Sequence, residues 1–476
     1  MAQLDAGSKR AAAGVLSGRA WEGTLGAAAD VRPRLTGRQW QVVGFCSLAG
    51  MLETMDMYII AFVLAVITAP WGLSYGKSAT ILLTSGLGAA VGSFVWGHVA
   101  DRWGRKPAFL ATIFTCAAAS LALVFTPTGD WVYLAALRTL IGFGTGGFFI
   151  FVVLVQEFAP ATNRGFASSV VSTAAAGGLL LGAICGSFLM PRLGWRGMFA
   201  VGVLPALLGV AVMYLMPESP RWALSHGRTE LGRRSLRWAM GAEANIDGIM
   251  RAYEKVEQAP GWREVLALRR SVLAGTMINF GVVTGYYGIV LWAPTLLAQI
   301  LGISGARAAT VMMAISATGL ACRLGTGWLA DRIGRRRCGA LAACGAAAAL
   351  LVSGLAARGA GLPQQLFWLP FGLAFVLGDS GFAIMGMYTS EIWPSRLRGR
   401  GSGVSYGAGS IGKILGPLGL ALLIGSSNMI SPAATVASIV PAFTYLACMF
   451  LLAGMTYLFI ARETRGRSLE ELDRLA

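Results

Sequence analysis

The sequence predicts an all-α membrane protein: twelve transmembrane helices in two pseudo-symmetric six-helix bundles. Three observations predict it: a composition too apolar for water, twelve apolar stretches of spanning length, and loop motifs that recur in the second half. Of 476 residues, 55% are hydrophobic and only 13% charged, whereas a soluble domain carries about 25% charged residues. A soluble enzyme is therefore excluded. The 22 Phe and 14 Trp also exclude an unfolded chain, which could not leave so much apolar surface in water.

Stretches of about 20 apolar residues cross a bilayer core. They run over 40–69, 79–99, 107–127, 131–155, 166–190, 198–216, 272–301, 308–330, 338–357, 364–390, 401–426 and 434–461. The chain's 64 Gly suit membrane helices, whose backbones pack closely over small residues. The domain reading follows: 1–38 a flexible cytosolic tail, 39–216 the first bundle, 217–271 a cytosolic central linker, 272–461 the second bundle, and 462–476 a cytosolic C-terminal tail. No apolar signal-peptide core is read in 1–38. Seven Cys without a CxxC pair, and two distant His, His98 and His226, give neither a disulfide framework nor a zinc site.

The net charge of +17 sorts by loop. One alternate set of loops and tails holds 31 of the 39 Lys and Arg, the other set holds five, and Arg138, Arg323 and Lys413 lie inside spans. That asymmetry predicts both termini and the central linker on the cytoplasmic side of a cell (inner or plasma) membrane. It accounts for the charge without nucleic acid.

The chain also repeats. Gly97-His-Val-Ala-Asp101-Arg102-Trp-Gly104-Arg105 recurs as Gly327-Trp-Leu-Ala-Asp331-Arg332-Ile-Gly334-Arg335. Glu157-Phe-Ala-Pro160 leading to Arg164 recurs as Glu391-Ile-Trp-Pro394 leading to Arg398. Two motifs at nearly one offset indicate two homologous halves, and parallel repeats of this kind place a binding site between them near mid-membrane.

On these residues the chain resembles the major facilitator superfamily over 38–470. The stretch 97–106 resembles its loop 2–3 signature, and Arg138-xxx-Gly142-x-Gly144 its fourth-helix motif. Pro217-Glu218-Ser219-Pro220-Arg221-Trp222 and Glu463-Thr-Arg-Gly-Arg467-Ser resemble the helix-6 and C-terminal signatures of the sugar-porter-like branch. Leu35-Thr-Gly-Arg-Gln-Trp40 leading to Glu53-xx-Asp56, Gly194-Trp195-Arg196-Gly-Met-Phe199 and Pro205-Ala-Leu-Leu are similar to the aromatic acid/proton symporters. There Glu53 stands for the first Asp of Asp-Gly-x-Asp, and Thr54 for its Gly. The resemblance implies two bundles that rock about a central cavity.

Charge inside a span is expensive and so a functional hypothesis. Glu53 and Asp56, three residues apart, share one side of the first helix, near its middle. Repulsion and desolvation oppose ionising both, and an acid able to gain and lose a proton is what proton coupling requires. A purely structural, capped pair is the bland reading. Arg138 stays ionised when desolvated and needs a carboxylate; the resemblance implies pairing with Asp56.

In the second half, Lys413 in span 11 occupies the place where aromatic acid symporters carry a basic residue, usually Arg. It would hold a substrate carboxylate as a point charge. Arg323 in span 8 either faces the cavity or snorkels to the interface. Asp379, an acid in span 10, joins the substrate-binding set. Span 7 supplies Asn279, Tyr286, Tyr287 and Trp292, which can stack a ring and hydrogen-bond its edge, or belong to an interfacial belt. Sugar porters have a Gln pair in this helix, where this chain has Ile278, Asn279 and Phe280. That counts against a hexose.

Asp101, Arg102 and Arg105 are expected to pair with Glu157 and Glu218, and Asp331, Arg332 and Arg335 with Glu391 and Glu463. Together with Arg164 and Arg398 they form candidate gates, or merely fix topology. An ATP-driven pump is excluded, because Trp71 stands where a phosphate loop before Gly76-Lys77-Ser78 needs Gly. The expectation is a proton-coupled symporter importing a small organic anion, an aromatic or heteroaromatic monocarboxylate, by alternating access. A sugar-type porter or a drug/proton antiporter is the alternative, and a non-transporting sensor a third class. The expected partners are the organic anion, protons and membrane lipid. No cofactor beyond the proton gradient is expected, and the protein is read as a monomer.

Overall fold

The computed structural model describes residues 35–159, 163–241, 262–394 and 397–465, without the side chains at 164, 165, 262, 398 and 399. Within them lie twelve helices long and apolar enough to cross a membrane. They are α1 Gly37–Ile67, α2 Tyr75–Trp103, α3 Arg105–Val124, α4 Trp131–Phe158, α5 Phe166–Phe188, α6 Met190–Leu215, α7 Arg269–Val290, α8 Gly305–Ile333, α9 Arg335–Ala357, α10 Gln364–Glu391, α11 Arg400–Ile424 and α12 Pro432–Phe459. The first six and the last six form the two bundles.

Local chemistry sets several boundaries. Thr36 and Gln39 make a reciprocal capping box at the start of α1, satisfying two of the donors that a helix N-terminus leaves free. Gly104 (φ 121°) and Gly334 (φ 100°) separate α2 from α3 and α8 from α9. Both sit in backbone territory that side-chain-bearing residues avoid. A Cβ at either glycine would also collide with a carboxylate, Glu218 at Gly104 and Glu463 at Gly334. The Asp-Arg-x-Gly-Arg repeat is thus a helix-turn-helix corner that only glycine can make. Span 7 breaks at Leu291 and resumes over Ala293–Leu301 with Pro294 in its first turn, where the missing N–H is harmless.

Within the bundles, helices pack over small residues. α2 and α4 touch backbone to backbone, so that a Cβ on Gly142 would strike the Ser85 carbonyl. α11 approaches α7 in the same way at Gly416, over the Thr284 carbonyl. In lipid the apolar tails supply no hydrophobic drive between helices, so such close approach is what holds them.

Between the bundles, hydrogen bonds gather at the end opposite the termini. Tyr75 N donates to Asn428 O (2.9 Å), Gly76 N to Ser426 O (2.8 Å) and Ile430 N to Leu73 O (3.3 Å). The Tyr75 hydroxyl meets Thr435 Oγ1 at 2.5 Å, and Ser187 Oγ meets Thr310 Oγ1 at 2.7 Å. That end is closed by chain from both halves.

Replacing Gly142 by Leu forces α2 and α4 apart. The variant should lose about 3 kcal/mol or more of stability, read as a lower melting temperature and a reduced monodisperse fraction in detergent. An unchanged melting curve would show that the α2–α4 approach is not what secures the first bundle.

Candidate functional site

Charges in the middle of the first bundle come from α1 and α4, with a hydroxyl from α3 beside them. Glu53 (2% exposed), Asp56 (1%) and Arg138 (0%) are all buried. Arg138 donates from Nη1 to the Asp56 backbone carbonyl (3.0 Å) and from Nη2 to that of Met57 (2.9 Å). The expected carboxylate pairing is therefore corrected: the guanidinium binds the α1 backbone, because a planar fork suits two successive carbonyls. The Asp56 carboxylate instead accepts from Ser120 Oγ at 3.0 Å. Its other oxygen, both Glu53 oxygens and Arg138 Nε are buried without a hydrogen-bond partner. Gly202 on α6 makes room for Asp56, since a Cβ there would lie 2.6 Å from Oδ1.

The second bundle brings together a different set. Arg323 on α8 pairs with Asp379 on α10 (Nη1–Oδ1 2.9 Å). Arg323 is thus held inside the bundle and does not snorkel. Around this pair stands an aromatic group: Tyr286 packs on Tyr287 (5.9 Å between centroids), Phe375 (5.6 Å) and Phe382 (5.5 Å). Arg323 lies 5.6 Å from the Phe382 ring centroid. Lys413 on α11 lies 5.3 Å from the Tyr287 centroid, and among the described residues it has no carboxylate within ion-pair distance. Tyr58, on α1 of the opposite bundle, reaches across the seam to Tyr287, with centroids 6.4 Å apart. Tyr58, Ser120, Phe375 and Phe382 were not among the residues singled out from the sequence. Tyr58 gave no local signal, since it follows Asp56 by two residues and so leaves the helix on another face.

Two span-7 candidates stand elsewhere. Asn279 is fully buried and gives its amide to Gly275 O (2.8 Å) and Thr389 Oγ1 (2.9 Å). It ties α7 to α10 about two turns from Tyr286. Trp292, also fully buried, donates to Pro417 O (3.1 Å) and packs on Tyr75 (5.3 Å). It sits neither in an interfacial belt nor on the Tyr286 group; it plugs the closed end.

At the basic end each bundle carries the same network. Arg105 pairs with Asp101 (2.8 Å) and Glu157 (3.5 Å). Glu218 accepts from the backbone N–H groups of Arg105 (2.9 Å), Lys106 (3.0 Å) and Ser219 (2.7 Å), while Ser219 Oγ donates to Glu157. In the second bundle Arg335 pairs with Asp331 (2.7 Å) and Glu391 (3.3 Å). Glu463 there accepts from Arg335 N (2.9 Å), and Thr464 Oγ1 donates to Glu391 (2.5 Å). Arg102 and Arg332 depart from the expected pairing. Both are exposed, and Arg332 stacks on Trp328 instead, 3.9 Å from its centroid. The side chains of Arg164 and Arg398 lie outside the described residues. Burial pushes the Glu218 carboxyl above its ordinary value of 4.5, while its backbone donors pull the other way.

Buried charges in both bundles, on either side of a seam closed at one end, fit a transporter of the major facilitator type. The chain belongs to the sugar (and other) transporter family, whose model matches residues 42–476. The niacin transporter NiaP of Acinetobacter baylyi is 28% identical over 439 residues, covering 89% of this chain and 94% of that protein. The putative niacin/nicotinamide transporter NiaP of Bacillus subtilis is 27% identical over 433 residues, covering 91% and 98%. An inward open structure of the xylose transporter XylE from E. coli superposes with a TM-score of 0.73 at 21% identity, covering 92% of this chain and 99% of that one. The protein is thus a multi-pass membrane transporter of small molecules, related to transporters rather than enzymes.

Two outcomes test this geometry. Lysine lacks the planar fork that spans two successive carbonyls, so Arg138→Lys should lose one charged hydrogen bond, worth about 1.5–3 kcal/mol. The resulting loss of thermal stability is measured in detergent; equal melting temperatures would remove the α1–α4 clamp. Because folding raises Glu218, its stabilising contribution is complete below 4.5 and fades as pH rises through the raised value. Melting temperature against pH should show that slope, and Glu218→Gln should flatten it; an unaltered slope would assign the titration to another group.

Proposed function

We propose that the protein is a proton-coupled importer of a small aromatic or heteroaromatic monocarboxylate. The observation that carries the reading is Lys413: a cation near the bundle seam, without an acidic partner among the described residues, over the Tyr287 ring. Such a group recognises an anion attached to a ring, whereas Arg323 already has Asp379. The names of the two niacin-transporting relatives support the same substrate class. A sugar would need amide partners for its hydroxyls, and the Asn279 NH2 group already donates to Gly275 and Thr389, leaving just its Oδ1 without a partner.

In this reading Glu53 and Asp56 carry the proton. Both lack full hydrogen-bond satisfaction, and an ionised carboxylate so placed is costly unless paired. Protonation from the outer side removes one negative charge from α1 while the anion offsets the charge of Lys413. With one proton per anion the loaded carrier crosses without net charge, and rocking then exposes the site to the cytoplasm. In this reading the closed end, far from the termini, is the outer side. The termini lie in the cytoplasm, the membrane is the cell's inner or plasma membrane, and a monomer suffices. The Arg105 and Arg335 networks hold the basic end of each bundle as a unit. Exposed pairs contribute little singly, but several together bias one of two states.

Purified protein in liposomes with an imposed pH gradient, acid outside, should accumulate radiolabelled benzoate or nicotinate and leave hexose behind. Lys413→Gln should raise KM for the acid by about tenfold or more, the worth of one charged hydrogen bond. Asp56→Asn should abolish uphill accumulation yet retain exchange of labelled for unlabelled acid. Hexose accumulation without acid uptake would reverse the substrate assignment. Uphill accumulation by the Asp56 variant would take that carboxylate out of the coupling role.

A further inference from the structure

Tyr58 is the one member of the aromatic group supplied by the first bundle, and nothing above gives it a role. Its ring is 5% exposed, and Tyr287 is 6% exposed. Their centroids stand 6.4 Å apart with the planes inclined by 32°. Direct ring pairs run from about 4.5 to 7 Å, so this pair lies at the loose end of the range. A planar ring held between two walls at contact distance needs them about 7–8 Å apart. At 6.4 Å with the planes inclined there is no room for a third ring, so the two tyrosines must part and level their tilt to accept one. Because one wall belongs to α1 and the other to α7, a small movement between the bundles supplies that displacement.

We propose that Tyr58 and Tyr287 are the two walls of a slot that takes the flat ring of the substrate, with the carboxylate at the slot's edge on Lys413. Lys413 already sits beside one wall, 5.3 Å from the Tyr287 centroid. A carboxylate one bond from an inserted ring comes out on its side. The slot selects for planarity: an alicyclic acid of equal charge is thicker than the gap and offers no π face. Tyr58 is therefore a specificity residue, and it places the substrate against the helix that carries Glu53 and Asp56. The second wall, Tyr287, is braced by Tyr286, which packs in turn on Phe375 and Phe382.

This inference rests on the acid-transport reading, and the experiment separates the two. In proteoliposomes, inhibition of labelled benzoate uptake is measured with unlabelled benzoate and with cyclohexanecarboxylate. The wild type should prefer the flat acid by about tenfold, near the upper end of what a ring–ring contact supplies. Tyr58→Leu should bring that ratio to about one, chiefly by weakening benzoate. Tyr58→Phe should keep the preference, which a requirement for the hydroxyl would not. Lys413→Gln should weaken both acids alike and leave the ratio standing. Equal inhibition of the wild type by both acids overturns the slot while leaving acid transport intact. Retention of the full preference in Tyr58→Leu overturns it as well. If Tyr58→Leu does not fold, loss of the preference in Tyr58→Phe overturns it. Absence of any acid uptake by the wild type sinks both readings together.

Discussion

A guanidinium buried in a membrane helix bundle must find acceptors inside the protein, and Arg138 finds them on the α1 backbone. Its two bonds to the carbonyls of Asp56 and Met57 fix α4 to α1 whatever the protonation state of any carboxylate. That has a consequence for coupling. Were Arg138 bound to the Asp56 carboxylate, protonation would break the link between the helices. As built, the link persists, and protonation changes only the charge of a side chain held by Ser120. In the proposed cycle the proton therefore acts on the electrostatics of the seam more than on the integrity of the first bundle. Glu53, one turn earlier on the same helix, adds a second group whose ionised form would be unpaired.

The repeat in the sequence is visible again as a repeat in chemistry. Glu218 caps the start of α3 from outside the helix, and Glu463 does the same for α9. In each bundle an arginine then joins the corner to a glutamate at the end of the fourth or tenth helix. Backbone N–H groups at a helix start favour a negative partner, and the left-handed glycine before them lets the carboxylate approach. The motif residues are thus bound to one another by geometry. Replacing Glu218 or Glu463 strands the backbone N–H groups that they cap, whereas Asp101 and Asp331 are largely exposed and their pairs contribute less.

How legible this was differs by level. The fold was readable because bilayer thickness imposes a length on every span, and all twelve expected stretches coincide with helices. The loop networks were readable because the motif recurs with the same spacing. The interior was less so. Sequence shows that Arg138 needs an acceptor, but not whether a carbonyl or a carboxylate supplies it. Asn279 and Trp292 have polar edges suited to a ligand, yet the Asn279 NH2 group is engaged by Thr389 on α10 and the Trp292 N–H by Pro417 on α11. Those partners are set by the crossing of α7 over α10 and α11, which no local pattern encodes. Tyr58 escaped notice for the converse reason: it stands beside two carboxylates in sequence but leaves α1 on another face.

The substrate region and the closed end are joined by contacts that can be followed residue by residue. Pro417 lies one turn beyond Lys413 on α11, and its carbonyl accepts from Trp292 at the break in span 7. Trp292 packs on Tyr75, which binds Thr435 and, through its backbone, Asn428. Most of the inter-bundle bonds there are made by backbone groups, so they cannot be loosened by a rotamer change. They open only if the bundles move as bodies. Tyr58 and Tyr287 face each other across the same seam. A ligand that spreads those rings would press on the pair of helices, α1 and α7, that run on to the closed end at Leu73 and Trp292. Widening at the rings and opening at the end are then one rotation viewed at two depths, and the break at Leu291 is where span 7 can bend to let them differ.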